Sequence, residues 1–162
     1  MDAAAFKQTV CSCIDRMYGV AVAITGSEAD AADAVQDACM KLWERRGSLG
    51  GVANVAAYAC GAARNAAIDI VNRRRPAIGA DEMVALASDA DIERDYERRE
   101  QLEGVKKLLA SLPDGQRIVF AMREFEGCTM EEIESATGFS SANVRVLLCR
   151  ARGAVKKYFA KI

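Results

Sequence analysis

The chain has 162 residues, 51% of them hydrophobic, which is enough for one domain or two small ones with buried cores. Much of that apolar content is alanine and only 6% is aromatic, so the core is one of small side chains on closely packed helices. A net charge of −1 excludes a uniformly basic nucleic-acid coat, and the lack of histidine and of any C-x-x-C spacing excludes the usual zinc ligand sets.

The charge is unevenly spread. Residues 1–75 hold nine basic and eight acidic groups, residues 76–104 three and nine, and residues 105–162 ten and six. An acidic middle therefore masks a basic C-terminal part, whose local field matters more than the total. The six cysteines, Cys11, Cys13, Cys39, Cys60, Cys128 and Cys149, fall mostly at apolar helix positions and read as reduced thiols acting as small hydrophobes. Asp2 stands where a signal peptide would carry its basic region, and no apolar run approaches the ~20 residues that span a bilayer. The expectation is a soluble, cytoplasmic protein with no membrane insertion.

In chain order, Phe6, Val10, Ile14, Met17, Ala21 and Ile24 repeat at three and four, which predicts a first helix from about Ala3 to Ile24. Gly26 ends it, and Ser27 caps a second helix with Asp30 as the capping acid. Val35, Ala38, Leu42 and Trp43 point inward there, while Asp33, Gln36 and Asp37 line the opposite side until Gly47 stops the helix. The glycine-rich loop GSLGGVAN follows. A third helix runs from near Asn54 to Arg75, where Pro76 pushes the preceding residue out of the α region. From Pro76 the helical pattern is lost, giving a flexible linker over 77–92.

The pattern resumes with Leu102, Val105, Leu109 and Leu112 as an apolar stripe. Pro113 opens another helix with Ile118, Met122 and Phe125 inward, and Gly127 ends it. Thr129 and Glu132 form a capping box ahead of Ile133 and Ala136, and Gly138 supplies the left-handed residue of a tight turn. Ser140 or Ser141 caps the last helix, whose stripe is Val144, Leu148, Ala151, Val155 and Phe159. Its remaining surface carries Arg145, Arg150, Arg152, Lys156, Lys157 and Lys161, with no acidic residue from Ser141 onward. The fold class is all-α: two small helical domains, 1–76 and 93–162, joined by the linker, the second holding a helix-turn-helix. A helix with one apolar stripe and one cationic face suits a major groove, although cations near a C-terminus also satisfy the helix dipole.

Two features of the first domain carry further chemistry. Asp33, Gln36 and Asp37 share one face, either a solvated surface or a docking face for a basic partner. Asn54, Tyr58, Arg64, Asn65, Asp69, Arg73, Arg74 and Arg75 put an aromatic, amides and arginines beside a glycine-rich loop, which suits capture of unstacked bases. The three arginines equally suit a helix C-terminus. No nucleophile stands beside a plausible base and there is no phosphate-loop glycine pattern, so neither catalytic residues nor a cofactor or metal are expected.

SEADAADAVQDACMKLWERR followed by AYACGAARNAAIDIVNRRR resembles the promoter-melting domain of bacterial sigma factors. LASLPDGQRIVFAMREFEGCTMEEIESATGFSSANVRVLLCRAR resembles their promoter-upstream domain. The order and spacing are similar to the two-domain extracytoplasmic-function (ECF) group of the sigma-70 family. The resemblance implies that Asp33, Gln36 and Asp37 grip the β′ clamp helices of core RNA polymerase, with the β flap as a second polymerase contact. It implies that the Gly47–Asn54 loop, with Ser48 and Asn54, takes a flipped base of the −10 element, beside Tyr58, Arg64, Asn65, Asp69, Arg73 and Arg74. It assigns Ser141, Asn143, Arg145, Val146, Cys149 and Arg150 to the −35 element, and it implies an anti-sigma factor as a further partner. Tyr58, Gly61, Val146 and Leu147 depart from residues common at those positions in the family. The competing readings are a stand-alone helix-turn-helix regulator with an N-terminal dimerisation or sensor module, and a helical adaptor with no DNA specificity.

Overall fold

The computed structural model describes residues 1–74 and 98–161, with the backbone alone for 98–102. The expected linker, Arg75 and the Leu102 side chain lie outside the described residues. Every regular element described is helical, and the chain forms two compact units, Met1–Arg74 and a second one after it.

The first unit holds α1 (Ala3–Val10), α2 (Ile14–Thr25), α3 (Glu28–Glu44) and α4 (Val55–Arg74). The single helix expected from Ala3 to Ile24 is broken by a tight 3₁₀ turn over Cys11–Cys13. There the Ser12 hydroxyl donates to the Thr9 carbonyl (2.9 Å) and the Cys13 thiol to the Val10 carbonyl (3.0 Å). Such short-range side-chain bonds compete with the α-helical ladder and bend it. Gly26 takes the left-handed conformation (φ 67°) and its N–H closes α2 on the Val22 carbonyl. Ser27 caps α3 as expected, accepting from the Asp30 N–H at 3.2 Å. Asp30 itself does not complete the box, because its carboxylate is taken by Arg74 of α4 at 2.6 Å.

Helices α2, α3 and α4 pack on one another through small residues. Ala21, Ala31, Ala34, Ala38, Ala63 and Ala67 are fully buried, which lets the backbones approach closely. Trp43 does not join them. The buried stripe of α3 runs Ala31, Ala34, Val35, Ala38 and Leu42, and Trp43 lies one residue off it with 40% of its surface exposed. Nor does Gly47 stop α3. Arg45 is the C-cap, its N–H bonded to the Lys41 carbonyl at 3.2 Å, and residues Arg46–Gly51 coil as a 3₁₀ turn.

The second unit holds α5 (Arg98–Ser111), α6 (Asp114–Phe120), α7 (Met130–Thr137) and α8 (Ser141–Ala160). Leu109 of α5, Leu112 just after it, Phe120 of α6 and Ala151 of α8 form its apolar cluster. Two expected core residues are displaced. After α6 the chain makes a π-turn over Ala121–Phe125, with the Glu126 N–H on the Ala121 carbonyl at 3.3 Å. One extra residue in the turn rotates the following side chains, so Phe125 is 55% exposed and Cys128 is buried instead. On α8 the inward aromatic is Tyr158, and Phe159 is 55% exposed. Tyr158 fits because Gly104 of α5 faces it: a β-carbon at Gly104 would collide with the phenol oxygen.

Candidate nucleic-acid interface

Charge on α3 is built by helical spacing alone. Asp33 and Gln36 are exposed, and Asp37 is half-exposed with its carboxylate 3.1 Å from the Lys41 ammonium. One turn beyond Gln36 stands Met40, 59% exposed, an apolar surface residue absent from the sequence-based site. Its position, four after Gln36 and seven after Asp33, was the available signal.

The loop and α4 bring the second group together. Asn54 is the cap of α4, its side-chain oxygen accepting the Ala57 N–H at 3.0 Å. The Ser48 hydroxyl turns back onto the Arg45 carbonyl (2.8 Å). Tyr58 (42% exposed), Asn65, Asp69 and Arg73 recur at spacings of four and seven, so they line one open face. Arg64 lies over Gly61 and donates from Nε to the Asn65 side-chain oxygen at 3.4 Å. Arg73 Nε donates to the Asp69 carbonyl at 3.3 Å.

Arg74 is placed differently. Beyond the Asp30 pair, its guanidinium donates to the Thr25 carbonyl at 2.7 Å, capping the end of α2. It clamps the α2–α3 corner onto α4. With both side chains about a third exposed (33% and 32%), Asp30→Ala is expected to cost only part of a kcal/mol. Arg74→Ala should cost about 1–2 kcal/mol, because a helix-end carbonyl also loses its donor. Urea unfolding followed by Trp43 emission reads both variants, and equal losses would refute the capping role.

In the second unit, Thr129 caps α7 by accepting the Glu132 N–H at 3.1 Å, Gly138 turns the chain at φ 77°, and Ser140 (not Ser141) caps α8, accepting the Asn143 N–H at 3.1 Å. Val144, Leu147, Leu148 and Ala151 are buried. Arg145, Val146, Cys149 and Arg150 are therefore left together on the outer face, with Ser141 exposed at its start. Asn143 is half-buried, and its side-chain oxygen faces inward without a hydrogen-bond partner. Arg152 is drawn to Glu124 at 2.6 Å, which separates it from the Arg145 group.

Of the six cysteines, Cys13, Cys60 and Cys128 are buried, Cys39 is half-buried, and Cys11 and Cys149 are exposed. Burial pushes the Cys13 thiol up, with Cys60 beside it adding to the effect, and burial likewise raises Cys39. Both stay protonated at neutral pH, as small hydrophobes do. Among the described residues there is no cluster of three or more His, Cys, Asp or Glu able to hold a metal, and no helix long and apolar enough to cross a membrane.

Comparison with known proteins follows the same division. Sigma-70 region 2 matches residues 11–76 and sigma-70 region 4 matches residues 102–155. Over 159 residues the chain is 29% identical to "Probable RNA polymerase sigma factor RfaY" of Xanthomonas campestris pv. campestris. That alignment covers 94% of this chain and 40% of the relative, so the chain spans two fifths of that protein's length. The sigma factor RpoE, solved in complex with the anti-sigma factor NepR from Bartonella quintana, has the same fold. Its TM-score is 0.63 at 22% identity, over 96% of this chain and 97% of that one. With region 2 on the first compact unit and region 4 on the second, the chain belongs to the sigma-70 family.

Proposed function

We propose that this protein is a cytoplasmic sigma factor of the ECF type, which docks on core RNA polymerase and directs it to promoters. The observation that carries the reading is the pair of sigma-70 regions in chain order, each presenting an exposed face of the matching chemistry. Asp33, Gln36 and Asp37, extended by Met40, offer an acidic face with an apolar centre to the β′ clamp helices. Ser48, Asn54, Tyr58, Arg64, Asn65, Asp69 and Arg73 receive the melted −10 strand, with Arg74 holding their helix in place. Ser141, Arg145, Val146, Cys149 and Arg150 face the −35 duplex with the half-buried Asn143 at their edge, while the second unit also meets the β flap. No chemical step is required of the chain: base flipping costs a few kcal/mol, which stacking and amide contacts offset. Two weak DNA contacts on one chain, both held on polymerase, gain from effective concentration. The Bartonella quintana sigma factor was solved with an anti-sigma factor, and a partner of that kind is proposed here.

The test is retention of the full chain on bacterial core polymerase, followed by transcription from a pool of genomic fragments. Discrete start sites that require both the chain and core support the reading. A dimer that binds a palindromic duplex without core would favour the stand-alone regulator. On the upstream side, Arg145→Ala is expected to weaken binding of a selected −35 duplex by about 1–3 kcal/mol, the range for a bidentate base contact. Anisotropy at fixed salt checks this, and loss of affinity equal on selected and scrambled duplexes would make Arg145 a phosphate contact instead.

A further inference from the structure

The loop that the proposed function assigns to base capture is short of material to hold its own shape. Gly47, Gly50 and Gly51 would have nothing within 4 Å of an added β-carbon, so three of its six residues bring no side chain to the packing and face open space. Glycine also loses the most backbone freedom on ordering. Two of its own side chains do hold it. Leu49 is sunk into the unit, 1% exposed, and Arg46, half-buried, anchors the entry.

The Arg46 side chain is tied to Trp43, while the Arg46 carbonyl accepts from the Met1 ammonium at 3.2 Å. Its guanidinium carbon lies 4.0 Å from the indole centroid, and Nη1 donates to the Trp43 carbonyl at 2.9 Å. That carbonyl belongs to the last turn of α3, where a cation is also favoured by the helix dipole. Trp43 is fixed in turn by Phe6 of α1, ring to ring at 5.1 Å and 79° in an edge-to-face contact. This accounts for the half-exposed tryptophan that the buried stripe of α3 leaves out: it is the platform on which the loop entry rests. Between the Arg46 and Leu49 anchors stands Ser48, exposed, its hydroxyl and N–H both on the Arg45 carbonyl at 2.8 and 2.9 Å.

We propose that Arg46 is the positioning residue of the capture loop: by stacking on Trp43 and bonding its carbonyl, it holds residues 46–51 in the shape that receives an unstacked base. This rests on the reading of the loop as the −10 contact. Preorganisation of this kind raises affinity by removing the ordering cost of the loop from the binding step. Lysine can keep the charge over the ring but not the planar fork, so it should restore part of the effect.

Two measurements on the full chain test it, with Arg46→Ala and Arg46→Lys beside wild type. The first is amide hydrogen exchange over 46–51 in the free protein. Arg46→Ala should exchange there about tenfold faster, the scale of a cation–π contact plus one hydrogen bond, with Arg46→Lys between it and wild type. Protection equal to wild type in Arg46→Ala would overturn the proposal. The second is binding of a fluorescein-labelled −10 single strand by the chain on core polymerase, read beside the emission of Trp43, the one tryptophan in the sequence. Arg46→Ala should weaken strand binding about tenfold and alter Trp43 emission, with core retention and −35 duplex affinity unchanged. Equal strand affinities would overturn the positioning role. If wild type on core does not bind the strand at all, the capture reading fails instead, and exchange over 46–51 still decides whether Arg46 holds the loop.

Discussion

Asp33→Arg/Asp37→Arg is expected to abolish retention on core RNA polymerase while leaving the fold intact. Asp33 is exposed and makes no contact on which α3 depends, and arginine is a good helix former. Asp37 loses its pair with Lys41 and gains a repulsion from it, but that pair is exposed (45% and 58%), where such contacts are worth about 0.3–0.5 kcal/mol. The interface loses far more. On the proposed docking to a basic surface of core, two reversals set like charges together, and each such juxtaposition costs several kcal/mol. A change of about 3 kcal/mol already raises Kd more than a hundredfold. Association should also slow, since steering by the acidic strip is lost. The check is Kd for core by anisotropy together with thermal melting by circular dichroism. Unchanged affinity for core would reduce the strip to solvated surface and leave Met40 and its neighbours as an unexplained apolar patch.

Asp114→Ala is expected to unfold the second unit and with it remove all −35 binding. The LPDGQR segment hides an ion pair: Asp114 and Arg117 are 5% and 2% exposed, with the guanidinium 2.5 Å from the carboxylate. Arg117 also donates to the Leu112 carbonyl at 3.0 Å, so it fastens the end of α5 to the start of α6. Removing one member of a buried pair takes from the other charge its carboxylate at close range, at about 3–5 kcal/mol. A helical unit of this size holds only about 3–9 kcal/mol in all. Far-UV circular dichroism in urea should therefore show a large part of the helix melting early. Trp43 belongs to the first unit, and its transition should stay where it is in wild type. Asp114→Leu/Arg117→Met should lose less than Asp114→Ala, because both charges of the pair leave together. A single variant as stable as wild type would mean that water reaches Arg117 after all.

What the sequence determined by itself is whatever lies within four residues of its cause. Ser27, Thr129 and Ser140 cap their helices and Gly26 and Gly138 turn left-handed because these interactions close over one turn of chain. The exposed acidic strip of α3 and the outer face of α8 follow from helical spacing, and the family motifs are themselves local strings of residues. What only the tertiary structure decided involves partners far apart in the chain, or a small change of register. Arg74 was one of a run of arginines until Asp30, 44 residues away, took its guanidinium, and Arg152 was one of six cations until Glu124, 28 residues away, claimed it. Phe125 fitted the inward stripe by counting, but the π-turn adds one residue and rotates it to the surface. Tyr158 displaced Phe159 from the core because Gly104, on another helix, has no side chain to oppose it. The helical pattern puts Trp43 inward with Leu42, but its position beside Phe6 and under Arg46 makes it a platform. Helical periodicity tells which residues share a face. Which arginine remains available to a phosphate and which aromatic remains outside depend on the neighbour that folding brings, and that neighbour is written nowhere near them in the sequence.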